Sequence, residues 1–328
     1  MKPGIEWRRP RASAENEQFT ADLHAALSRA PKAISPKYFY DEVGSKLFEQ
    51  ICELPEYYPT RTELALLQTH AADMAAQMGS QVQLVEYGAG ALRKVRLLLD
   101  AIPRDSVEFV PVDISGPHLL AACDGLAADY PGLAIQPLVA DFTRPHTLPS
   151  CPEGSRRVGF FPGSSIGNFT PAEADAFLRL AAGELAGGGL LIGIDLEKDQ
   201  RVLHAAYNDA AGVTAAFNLN VLKRARQELG AEFPPDGFEH LAFYNPAYRR
   251  IEMHLRATRP LELRLGDEVY SFSEGETLHT EHSHKYTVSG FQALAERAGF
   301  KPGKVWTDAN RWFAVLWLEA AQGGNKSA

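Results

Sequence analysis

The sequence predicts an α/β protein: a mostly parallel sheet with an antiparallel last strand, joined to an inserted α+β lobe. Three observations predict it. Apolar runs at 82–87, 107–114, 133–140, 157–161 and 189–195 alternate with helical stretches at 94–101, 116–128 and 171–186, the pattern of parallel strands with crossover helices on both faces of a sheet. A glycine turn, Gly88-Ala89-Gly90, separates the first run from its helix. After Asp195 the alternation stops: 202–229 reads as helices and 243–286 as antiparallel strands, before a helix at 290–298 and closing strands at 304–307 and 313–318.

In chain order, residues 1–13, which include Arg8-Arg9-Pro10-Arg11, read as a disordered tail. Phe19, Leu23, Ala26 and Leu27 stand at helical spacing in 14–28, and Pro31 and Pro36 end that helix. Ser45 is the expected cap of a short amphipathic helix that stops before Leu54, and Thr62 is expected to open a helix through Met78. Because the first sixty residues precede the first strand, they are assigned to the inserted lobe. The expected division is a substrate-binding lobe of 14–61 plus 198–286, a sheet domain of 62–197 plus 287–321, and a second tail at 322–328.

Composition narrows the function classes. The net charge of −8 over 328 residues argues against a nucleic-acid or anionic-membrane partner, since such binding uses concentrated positive charge. There is neither a membrane-length apolar stretch nor the apolar core of a secretory signal, so a cytoplasmic protein acting on a small molecule, as a monomer, is expected. Cys52, Cys123 and Cys151 suggest neither a disulfide framework nor a zinc site, and the ten histidines lack H-E-x-x-H spacing; no metal is expected.

The chemistry concentrates at the predicted strand ends, where α/β sheets bind ligands. Gly88 and Gly90 clear side-chain bulk from the first turn, and the helix beginning near Lys94 directs N–H groups at the same place. A dinucleotide fingerprint requires a third glycine where Arg93 stands, so that reading fails. Asp113, ending the second strand, can accept two ribose hydroxyls, or cap the next helix, with Ser115 an alternative cap. At the third strand end Asp141 can accept an adenine amino group while Phe142 lies against the base. Together these point to an adenosyl cofactor. After the fourth strand, Gly163-Ser164-Ser165-Ile166-Gly167-Asn168 places the donor and acceptor of Asn168 at the reacting centre, or caps the helix at Pro171. Five alternating strands, an insertion, then helix, strand, strand is the order of a Rossmann-like class I methyltransferase with a substrate lobe.

Four longer stretches carry a more specific resemblance: Tyr38-Phe39-Tyr40-Asp41 with Gly44-Ser45, 54–63 with its tyrosines between two prolines, 163–168, and 207–218. Over almost the whole chain after residue 30 the sequence resembles the histidine Nα-methyltransferase family of ergothioneine biosynthesis, which makes hercynine from histidine and S-adenosylmethionine. The resemblance implies that Gly88, Gly90, Lys94, Asp113, Asp141 and Phe142 hold S-adenosylmethionine. It implies that Tyr57, Asn168, Tyr207, Met253, Glu281 and Ser283 surround histidine, with Tyr40 beside its amine. Tyr40, Asn168 and Tyr207 are the expected catalytic set. Independently of the resemblance, Glu281 and Ser283 are two apart in a predicted strand and so share a face, with His282 and His284 on the other. Ala89 and Ala91 depart from the family's frequent hydroxyl residues in the glycine loop. The competing readings are a different amine substrate on the same fold, a non-catalytic S-adenosylmethionine-binding protein, and a nicotinamide dehydrogenase.

Overall fold

Three helices precede the first strand in the computed structural model, which describes residues 12–322. Helix α1 (Ala12–Ser28) buries the predicted stripe Phe19, Leu23, Ala26 and Leu27. It includes residues 12 and 13 of the expected first tail; the expected tail segments 1–11 and 323–328 lie outside the described residues. Helix α2 (Glu42–Glu53) is capped by Asp41 rather than Ser45, because the Asp41 carboxylate accepts the Gly44 N–H at 2.7 Å and satisfies a donor of the first turn. Helix α3 (Tyr58–Met78) starts before the expected Thr62. Pro59 does not stop it, since the first turn needs no N–H from proline.

The strands that follow build the sheet. β1 (Val82–Tyr87) is buried throughout, with Val82 and Leu84 in one apolar layer and Val85 and Tyr87 in the other. α4 (Arg93–Leu99), β2 (Val107–Asp113) and α5 (Gly116–Asp129) continue the alternation. The expected third strand is split into β3 (Ala134–Ile135) and β4 (Leu138–Val139), both parallel to β2. Between them Pro111 of β2 has no N–H to give, so the ladder passes from the Gln136 N–H, donated to the Phe109 carbonyl at 2.8 Å, to that of Ala140, donated to the Asp113 carbonyl at 3.0 Å, and Pro137 stands on the outer side. β5 (Arg156–Phe161) leads to α6 (Pro171–Glu184), which opens with a reciprocal Thr170/Glu173 capping box. β6 (Gly189–Asp195) follows, fully buried.

The chain then leaves the sheet. α7 (Gln200–Tyr207) and α8 (Val213–Leu229) precede β7 (Phe238–Asn245), β8 (Arg250–Ala257), β9 (Leu261–Leu265), β10 (Glu268–Phe272) and β11 (Thr277–His284). These strands form a three-stranded sheet, β11-β8-β7, and a hairpin of β9 with β10. α9 (Val288–Arg297), β12 (Phe300–Thr307) and β13 (Phe313–Ala320) return to the first sheet, whose order is β12-β13-β6-β5-β1-β2-β3 with β4 also on β2. β13 runs antiparallel to both its neighbours. α3, α4 and α5 bury apolar residues in one layer, α6 and α9 in the other.

Two compact units result. One comprises the chain up to Tyr57, Gln200–Asn245 and Ile251–His282; the other comprises Tyr58–Asp199, Pro246–Arg250 and the chain from Ser283 onward. The first break falls where α3 begins, not after residue 61, because α3 is one uninterrupted helix that packs on the sheet. The last falls within β11, so 283–286 belong with the sheet unit.

Candidate active site

In the sheet unit the side chains expected to hold a cofactor stand at the strand ends around the glycine turn. Gly88 adopts φ +71°, and its N–H and that of Ala89 donate to the Val112 carbonyl at 2.9 and 3.0 Å, which pins the turn to β2. A Cβ on Gly88 would sit 3.5 Å from the Phe142 ring, so the glycine leaves that ring face clear. Phe142 packs edge-on against Phe161 and Phe177, at 5.6 and 6.0 Å between centroids. Asp113 accepts the Ser115 N–H at 2.7 Å; burial raises its pKa and that hydrogen bond works the other way. Ser115 occupies the α5 cap position without a side-chain cap bond. Asp141 accepts from the N–H and hydroxyl of Thr143 at 3.0 and 2.5 Å.

Two carboxylates to which the sequence reading gave no role join this group. Glu63, fully buried, pairs with Lys94 at 2.6 Å and accepts the Gly163 N–H at 2.8 Å. A Cβ on Gly193 would come within 2.1 Å of Glu63 Oε1, so β6 needs glycine there. Glu86, on β1, is buried with Oε2 lacking a hydrogen-bond partner. Burial lifts its pKa from 4.5 to about 8, Lys94 opposes that, and Asp113 and Glu63 add to it. The signals for both were present: Glu63 closes the 54–63 stretch, and Glu86 is the one carboxylate in the strand 82–87.

The Ser165–Asn168 turn carries Asn168 after β5 and is held against the end of β11: a Cβ on Gly167 would lie 2.9 Å from the His284 carbonyl. Ser283 accepts from Lys285 Nζ at 2.7 Å. That ammonium also pairs with Asp195 at 2.7 Å, and Asp195 takes Lys198 at 2.5 Å and the Tyr58 hydroxyl at 2.7 Å. Burial opposes the charge of Asp195, yet Lys285 and Lys198 hold its pKa below the usual carboxylate value. Lys198, desolvated and near Lys285, is pulled down to about 8 despite Asp195.

The other unit brings together Tyr40, Tyr57, Tyr207 and Glu281, and its β8 carries Met253, whose carbonyl accepts the Thr280 hydroxyl at 3.0 Å. Phe48 joins Tyr40 and Tyr57 at 5.7 and 6.3 Å between centroids, and Tyr57 meets Tyr207 edge-on at 6.3 Å. Burial pushes the Tyr57 hydroxyl well above its ordinary pKa, and Tyr207, Cys52, Tyr40 and Glu281 add to the rise. Tyr40 is exposed, whereas Tyr207, Met253 and Glu281 are buried. The Tyr207 carbonyl meets His240 Nε2 at 2.9 Å, and Asn218 binds His240 Nδ1 and the Thr280 hydroxyl, at 2.9 and 2.7 Å. Asn218 thus ties α8 to β7 and β11. Among the described residues, Glu252, His254 and His279 bring potential metal-ligand atoms within 4.8 Å of one another. Spacing along the sequence could not reveal a set assembled by strand pairing.

The sheet order, with its single antiparallel strand beside β6 and a glycine turn after β1, is that of the class I S-adenosylmethionine-dependent methyltransferases. Within that class the comparisons are specific. The profile described as "Histidine-specific methyltransferase, SAM-dependent" matches residues 19–320, and the chain belongs to that family. It is 44% identical to the histidine N-alpha-methyltransferase of Mycolicibacterium smegmatis, over 90% of this chain and 93% of that one. It is 42% identical to that of Mycobacterium tuberculosis, over 88% and 90%. Ergothioneine biosynthesis protein 1 of Neurospora crassa is 28% identical over 86% of this chain and 32% of that longer protein.

Proposed function

We propose that this methyltransferase transfers three methyl groups from S-adenosylmethionine to the α-amino group of L-histidine, giving hercynine. The observation that carries the reading is the collection of Tyr40, Tyr57, Tyr207 and Glu281 in one unit, with Glu281 and Ser283 two residues apart on β11. Glu281 accepts one imidazole N–H as a charge-assisted bond, and Ser283 meets the other ring nitrogen. Asn168 and Tyr207 hold the substrate carboxylate, Tyr57 and Met253 line the substrate, and Tyr40 accepts from the amine.

The residues at the glycine turn fit the cofactor. Gly88 and Gly90 admit it to the backbone, Asp113 takes ribose hydroxyls, and Asp141 and Phe142 take the adenine. The buried Glu86 carboxyl, without a hydrogen-bond partner at Oε2, suits a cationic group. Lys94, already paired with Glu63, keeps further N–H donors for a carboxylate. When bound, S-adenosylmethionine supplies a methyl group made electrophilic by its sulfonium. The protein's task is in-line positioning, worth up to about 7–11 kcal/mol in favourable cases. An α-amine with a pKa of about 8 in model peptides gives up its proton without a strong base.

The net charge of −8 supports a small-molecule substrate over nucleic acid. No helix among the described residues is long and apolar enough to cross a membrane; we read the protein as cytoplasmic and monomeric. The test is incubation with S-adenosylmethionine and each proteinogenic amino acid in turn, followed by mass spectrometry. Histidine is expected to gain one, two and three methyl groups; methylation of another amino acid in its place overturns the reading.

A further inference from the structure

We infer that Glu252, His254 and His279 form a binding site for a divalent transition-metal ion of the zinc type on the β11-β8-β7 sheet. Three adjacent strands each contribute two residues, spaced two apart and therefore on one face. β8 gives Glu252 and His254; β11 gives Thr277 and His279; β7 gives Phe243 and Asn245. The potential ligand atoms of Glu252, His254 and His279 lie within 4.8 Å of one another. His254 Nε2 and Glu252 Oε2 are 3.2 Å apart. Two ligand atoms of a tetrahedral ion with bonds of ~2.05 Å stand about 3.3 Å apart, so this pair is at coordinating separation, and a ring rotation of His279 completes the third edge.

The surrounding residues orient the donors as outer partners of metal sites do. Glu252 Oε1 accepts from Asn245 Nδ2 at 3.0 Å, which aims Oε2 at His254. His254 Nδ1 meets the Thr277 hydroxyl at 3.1 Å, leaving Nε2 as the inward nitrogen. The His254 ring stacks on Phe243 at 5.4 Å and 13°, and the His279 ring stands 4.7 Å from it. A hydrogen-bonded Glu–His pair accounts for Glu252 and His254 alone. The second imidazole, from the neighbouring strand, is what such a pair does not need and a cation does. Two nitrogens and one carboxylate oxygen select Zn²⁺, Ni²⁺ or Cu²⁺ over Mg²⁺ or Ca²⁺, which take oxygen ligands. Water fills the remaining position. A bound ion would cross-link β8 to β11, two residues before Glu281.

Isothermal titration of the chelator-treated full chain with ZnCl2, NiCl2 and MgCl2 tests this without any use of catalytic activity. One Zn²⁺ or Ni²⁺ per chain and no Mg²⁺ is the expected result. His279→Ala leaves the Glu252–His254 pair in place and should weaken Zn²⁺ binding more than about tenfold; Asn245→Ala should weaken it by about tenfold through the orientation of Glu252. Wild-type Zn²⁺ affinity in His279→Ala, or no Zn²⁺ binding by the parent chain, overturns the site. Should the variants not fold, the Co²⁺ adduct of the parent chain decides. An intense visible spectrum of a four-coordinate ion supports the site, and a pale six-coordinate spectrum refutes it.

Discussion

Replacing Asp195 by asparagine should cost far more stability than replacing Lys285 by methionine, although the two are partners in one buried ion pair. Asp195, Lys198 and Lys285 are all buried in the sheet unit, so two ammoniums share one carboxylate. Asp195→Asn removes the carboxylate charge that both ammoniums share and turns one acceptor of the Tyr58 and lysine donors into another donor. Breaking one buried pair costs about 3–5 kcal/mol, and here two are broken. Lys285→Met leaves Asp195 balanced by Lys198 and hydrogen-bonded by Tyr58, so the expected cost is the lost charged hydrogen bonds, about 1.5–3 kcal/mol. Urea unfolding at pH 7 measures both. The pH dependence adds a signature. Lys198 sits near 8 in the folded chain against 10.5 ordinarily, so between those values the unfolded chain binds the proton and stability from this group rises with pH. Without Asp195 the Lys198 pKa falls further, and the deficit of Asp195→Asn should shrink from pH 7 to about 9.5 as Lys198 deprotonates. An equal loss in the two variants, or a deficit that grows with alkalinity, refutes the charge accounting.

Two further outcomes are expected. Glu86 titrates near 8 in the folded chain and 4.5 ordinarily; a raised carboxyl stabilises below 4.5 and loses that contribution as pH rises to 8. At ~1.4 kcal/mol per unit the loss is on the order of 4–5 kcal/mol, so Glu86→Gln should flatten chemical-denaturation stability across that window and exceed the parent at pH 8 without cofactor. If both chains follow the same pH curve, Glu86 is not a neutral buried acid. Glu281→Ala removes a charge-assisted bond worth about 1.5–3 kcal/mol and should raise the histidine KM by about 10- to 100-fold in steady-state assays with S-adenosylmethionine saturating; an unchanged KM removes Glu281 from the imidazole.

Much of the sheet was legible because burial on both faces writes itself as uninterrupted apolar runs. β1 and β6 fall at their expected bounds, and the antiparallel last strand followed from the helix-strand-strand ending. The third strand was misread as continuous because its apolar character runs through Pro137, and the donor missing from its ladder belongs to Pro111 on the neighbouring strand, which only the pairing brings opposite it. Local rules also competed. Asp41 and Ser45 are both good caps, and only the position of the Gly44 amide chooses between them. The place of Gly88, Asp113 and Phe142 at strand ends followed from the α/β alternation. The partners that set their electrostatics did not. Glu63 reaches Lys94, and Asp195 reaches Lys198 and Lys285, through tertiary contacts that no sequence period encodes.

The split at Pro137 has a counterpart at the opposite margin of the sheet. β3 and β4 form one outer edge and β12 the other, and β12 carries its own proline, Pro302, with a register shift between it and Val305. A regular outer strand offers a row of unused amide donors and carbonyls, which a strand from another molecule can extend without limit. Here both rows are broken by a residue that cannot donate, one between two-residue strands and the other beside a bulge. The eight strands therefore end in two margins poorly suited to templating, a safeguard against fibre-like association during folding, when this apolar sheet is least covered.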